Sequence, residues 1–278
     1  MLHFRSIFIS DLHLGSPWCR ADSLLDFLSS VEGERLYLVG DILDDWHLSR
    51  EAFLPEKQLQ VWEALLGLAK KIEITYVTGN HDAFLRPGHP YRQLFRKSFA
   101  DMVLCPKAVH RSADGRRYLV THGDAFDRSL KIPLLCPVVT ALYEAARSWL
   151  NRRPGLAKIL DYERADALIM HWQALVSRLL SGDSQKKMLD EAKNEKLNGV
   201  ICGHSHLAGI RFIDGLLYAN CGHWSGPAHA LVENDDGRID LLPWGARASL
   251  ESGAAGLNKR PGPAAGGALV VSGPALKR

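Results

Sequence analysis

An α/β fold with a largely parallel sheet in its first half, an antiparallel closing part and a helical insertion is what this 278-residue sequence predicts. Three observations carry that expectation. Short apolar, β-branched or aromatic runs alternate with segments of helical spacing through the first half. Five such runs end alike, in polar residues able to bind metal or move protons. The last part changes to short strands separated by tight turns.

Taken in order, Ser6-Ile7-Phe8-Ile9 is a strand that gives way to Asp11-Leu12-His13, and Ala21 to Ser30 has helical spacing. Leu36-Tyr37-Leu38-Val39 leads to Gly40-Asp41, Pro55 to Lys71 is again helical, and Ile72 to Val77 leads to Gly79-Asn80-His81-Asp82. Tyr118-Leu119-Val120-Thr121 precedes His122-Gly123-Asp124, and Gly199-Val200-Ile201-Cys202 precedes Gly203-His204-Ser205-His206. Open α/β sheets place ligands outside the carboxyl ends of their strands, where all five clusters fall. Ile210 to Ile213, a turn at Asp214-Gly215 and Leu216 to Tyr218 read as a hairpin, followed by short strands around Leu231 and Ile239.

Two regions stand outside this plan. From about Asp127 to Leu197 no strand signal appears, and apolar residues recur at helical spacing in Val138 to Leu150 and Ala165 to Leu180. That spacing predicts a helical cap over the site, at about 127–197, within a domain of residues 1–248. Residues 249–278 are mostly Gly, Ala and Pro, which predicts a flexible tail.

Composition narrows the function. A formal charge of +3, with 46% hydrophobic and 23% charged residues, is that of a globular chain and excludes disorder and fibres. It gives no reason to expect a nucleic-acid partner, which needs concentrated Lys and Arg. Cys19, Cys105, Cys136, Cys202 and Cys221 are odd in number and form no C-x-x-C pair, so neither a disulfide framework nor a thiolate zinc cluster is expected. A reducing, cytoplasmic location fits. The N-terminal residues read as a first strand and not as a signal peptide. The most apolar stretch, Ile132 to Tyr143, is too short for a membrane span and holds two prolines, which still allows a peripheral place on a membrane surface.

The chemistry lies in Asp11, His13, Asp41, Asn80, His122, His204 and His206, a set of oxygen and nitrogen donors without a thiolate. Such donors suit Mn²⁺, Fe²⁺ or Zn²⁺. Two neighbouring cations need a shared anion between them, and Asp41, on the central strand of the early βαβαβ pattern, is the natural bridge. A bridged pair activates water near neutral pH and stabilises a phosphoryl group undergoing in-line displacement. Any one motif alone reads as a turn or cap; five together on strand ends do not. The other histidines, His3, His47, His89, His110, His171, His223 and His229, read as surface or satisfied core residues, with His223 the exception to watch because it follows a strand near the site.

At these residues the sequence resembles the calcineurin-like metallophosphoesterase superfamily, whose D-x-H, G-D-x-x-D, G-N-H-[DE], H and G-H-x-H motifs stand here as Asp11 to His13, Gly40 to Asp44, Gly79 to Asp82, His122 and Gly203 to His206. The resemblance covers roughly residues 5–245 and implies a layered α-β-β-α metallophosphoesterase sandwich holding two divalent cations. It implies that Asp11, His13, Asp41 and His206 hold one metal and Asp41, Asn80, His122 and His204 the other. His81 would be the general acid at the leaving oxygen, with Asp44 orienting its ring.

Within the superfamily, Ser10 to Gly15, Val39 to Trp46 and the insertion after His122 are most similar to the longer branch of the UDP-2,3-diacylglucosamine diphosphatases of lipid A synthesis. That resemblance implies Mn²⁺, a lipid-linked nucleotide sugar cut to UMP and lipid monophosphate, and work at the cytoplasmic face of the inner membrane. Arg147, Arg152 and Arg153 in the insertion are the candidate substrate-binding residues. One departure is plain: well-studied members of that family carry Arg where this chain has His81, as the wider superfamily does. A proton donor there suits a poorer leaving group, so a phosphodiesterase or phosphatase acting on a small soluble ester is the alternative. A non-catalytic binding module on the same fold is a third reading, which the complete ligand set argues against.

Overall fold

The computed structural model describes residues 1–45, 54–89, 92, 99–127 and 184–245. Along the chain run β1 (Leu2–Ile9), α1 (Ala21–Ser30), β2 (Val31–Val39), α2 (Glu56–Ala69), β3 (Glu73–Val77), β4 (Met102–Cys105), β5 (Lys107–Arg111), β6 (Arg117–Thr121), α3 (Ser184–Asn194), β7 (Gly199–Cys202), β8 (Gly209–Ile213), β9 (Leu216–Asn220), β10 (Ala228–Glu233) and β11 (Ile239–Trp244). They make two sheets, ordered β11-β10-β1-β2-β3-β4 and β5-β6-β7-β9-β8. In the first, β1 to β4 are mutually parallel and β10 runs antiparallel to β1. In the second, β6, β7 and β9 are parallel neighbours.

Alternation along the strands explains why the sheets stack between helices. Ile7 and Ile9, Leu36 and Leu38, and Ile74 and Tyr76 share one face of the first sheet and pack on Leu24 and Phe27 of α1 and Val61 and Leu65 of α2. The residues between them, Phe8, Tyr37, Val39 and Val77, point the other way and meet Tyr118, Val120, Ile201, Leu217 and Ala219 of the second sheet. The outer face of that sheet, Leu119, Val200, Cys202 and Tyr218, is covered by Met188, Leu189 and Ala192 of α3. Both faces of each sheet are therefore buried, which is why the strands read as nearly continuous apolar runs. Each fully buried side chain of this size contributes ~1.5–3 kcal/mol. The result is an α-β-β-α sandwich, as expected.

The helices follow from spacing. Ala21, Leu24 and Phe27 are the buried face of α1, and Gln58, Val61, Leu65 and Ala69 that of α2, at the three- and four-residue steps of a helix. A buried polar cluster joins the two sheets. Glu233 of β10 accepts from Ser6 Oγ at 2.6 Å, Arg5 at 2.8 Å and the Ala113 N–H at 2.8 Å, and faces His110 Nε2 of β5 at 3.0 Å. The other ring nitrogen of His110 lies 3.1 Å from the Tyr37 hydroxyl. His110 is thus a buried core histidine between Tyr37 and Glu233, outside the metal centre.

The structure differs from the sequence reading in three places. The closing hairpins are divided: β8–β9 joins the second sheet, with β9 parallel to β7, while β10–β11 returns to the first. Strands β4 and β5 were not expected; four and five residues long, separated only by Pro106, they give too short an alternation to stand out. The end of the stretch expected to form the cap is α3, whose apolar face lies on the second sheet. Residues 128–183, with Arg147, Arg152 and Arg153, lie outside the described residues, as does the expected tail. Cys19, Cys105, Cys202 and Cys221 are free thiols.

Candidate metal centre

The segments that follow β1, β2, β3, β6 and β7 converge, and they converge through unusual backbone. Asp11, His13, Asp41, His204 and His206 all have left-handed φ, between +49° and +65°, and they are five of the seven non-glycine residues with positive φ among the described residues. Asp and His tolerate this region better than most residues, at a cost of ~1–3 kcal/mol each. Backbone bonds hold the loops in place: the Asp11 N–H donates to Gly40 O at 3.0 Å, that of His13 to Asp41 O at 3.0 Å, and that of Gly203 to His122 O at 3.1 Å. Two glycines are required by close approach. A Cβ on Gly40, whose φ is +85°, would run into the His122 imidazole, and one on Gly203 into the side chains of Ser10 and Asp11.

Three overlapping groups of potential ligands result, each with its donor atoms within 4.8 Å of one another: Asp11, His13 and His206; Asp41, His122 and His204; and His13, Asp41 and His81. The first two each hold three residues of a set expected from the sequence, without Asp41 in the first and without Asn80 in the second. Asp41 belongs to two of the groups, with His122 and His204 in one and with His13 and His81 in the other. His206 Nε2 lies 3.0 Å from Asp11 Oδ1, and His122 Nε2 lies 3.2 Å from Asp41 Oδ2.

Whether cations fit can be judged from the atoms left without partners. Asp11 Oδ1, His13 Nε2, Asn80 Oδ1 and His122 Nε2 are buried and make no hydrogen bond, although carboxylates and imidazoles stand close by. An unsatisfied buried group costs ~1–3 kcal/mol, and four of them from one expected ligand set are answered together by two cations. The donor set of carboxylate, amide and imidazole fits divalent ions of borderline character. Bound there, two such ions supply activation of water and neutralisation of phosphoryl charge.

Charges already balance one another in the site. Burial alone would raise the Asp11 and Asp41 carboxyls, but His206 and His122 beside the first, and His122 and His81 beside the second, hold both below the usual carboxylate range. Burial likewise works against a charged His122, yet Asp41 and Asp11 push it well above its ordinary value. A cation at His122 Nε2 therefore displaces a proton.

Residues around the ligands fix their orientation. His122 Nδ1 donates to Val39 O at 2.9 Å, which leaves Nε2 as the lone-pair nitrogen. Asp44 stands between two imidazoles, with Oδ1 3.1 Å from His81 Nδ1 and Oδ2 3.4 Å from His13 Nδ1. The His81 N–H also donates to Asp41 Oδ1 at 2.9 Å. His81 is opposed by burial but supported by Asp41 and by the hydrogen bond and charge of Asp44, and is raised to about 9.

Four supporting residues were given no role by the sequence. Asp82, last of the Gly79 to Asp82 motif, accepts from the Gly79 and Ile42 N–H groups and the Tyr76 hydroxyl, tying the third loop to the second; burial and the charge of Asp41 push it up to about 6. Asn220 donates to Gly203 O at 2.7 Å and to Ser205 Oγ at 3.1 Å, holding the Gly203 to His206 loop. Asp127 lies 3.0 Å from His204 Nε2. His223 stacks on His206, with ring centroids 4.9 Å apart and planes 17° apart, and pairs with Ser225 Oγ at 2.9 Å. Two had a signal, Asp82 as the last residue of its motif and His223 by its place just after a strand; Asn220 and Asp127 are single polar residues whose role depends on the fold.

Comparison with curated proteins returns no match. Among solved structures, a dimetal phosphatase from Danio rerio is 14% identical, with 87% of this chain and 96% of that one aligned at a TM-score of 0.46. An archaeal phosphodiesterase is 13% identical over 86% and 98% of the two chains at 0.44. A zinc complex of Vps29 from Entamoeba histolytica is 13% identical over 86% and 97% at 0.42. Residues 4–208 match the family described as calcineurin-like phosphoesterase, a stretch that holds all seven expected metal ligands. Read with the converging carboxylates, amide and imidazoles, that match makes the chain a member of the calcineurin-like phosphoesterases, metal-dependent hydrolases of phosphoesters.

Proposed function

We propose that the protein cleaves the pyrophosphate of a lipid-linked nucleotide sugar of the UDP-2,3-diacylglucosamine type, giving UMP and the lipid monophosphate, with two Mn²⁺ ions held by Asp11, His13, Asp41, Asn80, His122, His204 and His206. The observation that carries the hydrolase reading is the set of orphaned donor atoms around Asp41. The Ser10 to Gly15 and Val39 to Trp46 segments support the substrate reading, together with the apolar and basic insertion after His122. In this reading Arg147, Arg152 and Arg153 meet phosphate or headgroup, apolar residues of the insertion receive acyl chains, and the enzyme works from the cytoplasmic face of the inner membrane. No helix among the described residues is long and apolar enough to cross a membrane.

One observation favours a second reading, hydrolysis of a smaller and less activated phosphoester. His81 stands with Nε2 3.9 Å from Asp41 Oδ2 and its other nitrogen on Asp44, the arrangement of a proton donor. A departing nucleotide or sugar phosphate scarcely needs protonation, whereas an alkoxide does. The deciding experiment is product analysis with Mn²⁺-loaded protein on UDP-2,3-diacylglucosamine, a soluble nucleotide diester and a nitrophenyl diester. Replacing residues 128–183 by a short linker sharpens it. Loss of the lipid substrate alone supports the first reading. Equal turnover of the lipid and soluble diesters by the full chain, or loss of both on shortening, rejects it.

A further inference from the structure

The two imidazoles of the Asp41, His122 and His204 group are held by opposite nitrogens. His122 gives its Nδ1 proton to Val39 O, so Nε2 is left for a cation. His204 is engaged the other way round, with Nε2 3.0 Å from Oδ2 of Asp127. A carboxylate accepts only, so Nε2 carries the proton and the lone pair of the neutral ring stands on Nδ1. The His204 main chain is independently fixed, with φ at +65° and its N–H donating to Asp11 Oδ2 at 3.1 Å.

Asp127 is itself well anchored. Its carboxylate is almost wholly buried, and its N–H closes a short 3-10 turn by donating to Asp124 O at 3.0 Å. Asp124 is clamped by Arg86 at 2.6 Å, and Lys187 of α3 donates to Phe126 O at 3.3 Å. The carboxylate therefore reaches His204 from a braced segment, 77 residues away in sequence.

We propose that Asp127 is a positioning residue of the metal centre. It fixes His204 in the tautomer that presents Nδ1 to the cation shared with Asp41, Asn80 and His122, and its charge makes that nitrogen a stronger donor. In the other group Asp44 approaches His13 Nδ1 only at 3.4 Å, its hydrogen bond going to His81, so Asp127 is the carboxylate bonded to an expected ligand imidazole in this way. The inference rests on the two-cation reading above and assigns a selective effect: Asp127 acts on one of the two sites.

The test uses the full chain and Zn²⁺ as a diamagnetic probe. Long-range proton–nitrogen NMR of histidine-labelled, Zn²⁺-loaded wild type should show His204 with metal on Nδ1 and a proton on Nε2. Calorimetric titration should show two equivalents bound by wild type, and in Asp127→Asn one equivalent unchanged and the other weakened ~10- to 100-fold, the usual cost of losing a ligand's partner. Metal on Nε2 of His204 overturns the proposal. So do unchanged affinities in Asp127→Asn, or equal weakening of both sites. A wild type that binds a single equivalent refutes the two-cation reading, and the tautomer of His204, which needs no variant, still decides the role of Asp127.

Discussion

Asp44→Asn tests whether His81 is a proton donor tuned by its neighbour. With Asp41 and Asp44 beside it, the His81 imidazole is raised from an ordinary 6.5 to about 9 against the opposing effect of burial. At pH 7.5 a ring at ~6.5 is protonated about a tenth of the time, and one at about 9 nearly always. Cations on Asp41 offset much of that carboxylate's support, which leaves Asp44, 3.1 Å from Nδ1, as the remaining source. Removing its charge should therefore cost up to about tenfold in kcat/KM at pH 7.5. The loss should shrink towards pH 6, where both enzymes hold the proton, so the basic limb of the pH profile moves to lower pH. His81→Ala removes the donor itself and should cost ~10²–10⁴-fold on alkyl esters and less on nitrophenyl esters. The assay is a pH series at saturating Mn²⁺ on both ester classes, with metal content measured because Asp44 also faces His13. A basic limb that does not move in Asp44→Asn, or equal losses for both esters in His81→Ala, refutes the reasoning.

Three further outcomes follow from the same geometry. Asp41→Ala removes the carboxylate common to two ligand groups and should abolish binding of a metal pair, read by elemental analysis after dialysis; retention of two equivalents would count against the bridge. Gly203→Ala places a methyl group against Ser10 and Asp11 and should lower metal content and activity together, a link that fully active, metal-replete protein would break. Glu233, buried and drawn down to about 2 because bonds from His110, Ser6 and the Ala113 N–H outweigh burial, stabilises the folded state in its ionised form. Its pKa is depressed on folding, so that contribution is full above ~4.5 and fades as pH falls towards 2. Denaturant unfolding of Glu233→Gln should show the deficit at pH 7 and a narrowing gap below pH 4.5, and a constant gap would refute it.

What the sequence showed depended on whether a feature was local. Strands β1, β2, β3, β6 and β7 were legible because each is a short apolar run stopped by a distinctive polar cluster, and α1 and α2 because Leu24 and Phe27, or Val61 and Leu65, keep helical step. The pairing of β9 with β7 and of β10 with β1 was not legible, because a hairpin specifies its own register and not the sheet it joins. Asp127 and Asn220 were missed for the same reason: each is one polar side chain whose partner lies 77 or 17 residues away. Asp44 was visible as the last residue of its motif, but its second contact, with His13, required two loops to be placed in space.

The ligand loops show how the fold makes the site depend on its cations. Left-handed φ at Asp11, His13, Asp41, His204 and His206, and glycines at 40 and 203 that leave no room for a methyl group, bring side chains from five strand ends into one volume. Nothing in local propensity favours that arrangement; the sandwich imposes it, because β1, β2 and β3 are parallel within one sheet and β6 and β7 within the other. The cost is concentrated there: unfavourable backbone, two buried carboxylates whose charge only nearby imidazoles offset, and four potential ligand atoms without hydrogen bonds. Two divalent ions relieve the last two of these at once, so the same contacts that prepare the site for phosphoester chemistry tie the stability of these loops to metal binding. The supporting bonds of Asp82, Asn220 and Asp44 hold the loops in a geometry that the ligands alone, lacking their ions, would resist.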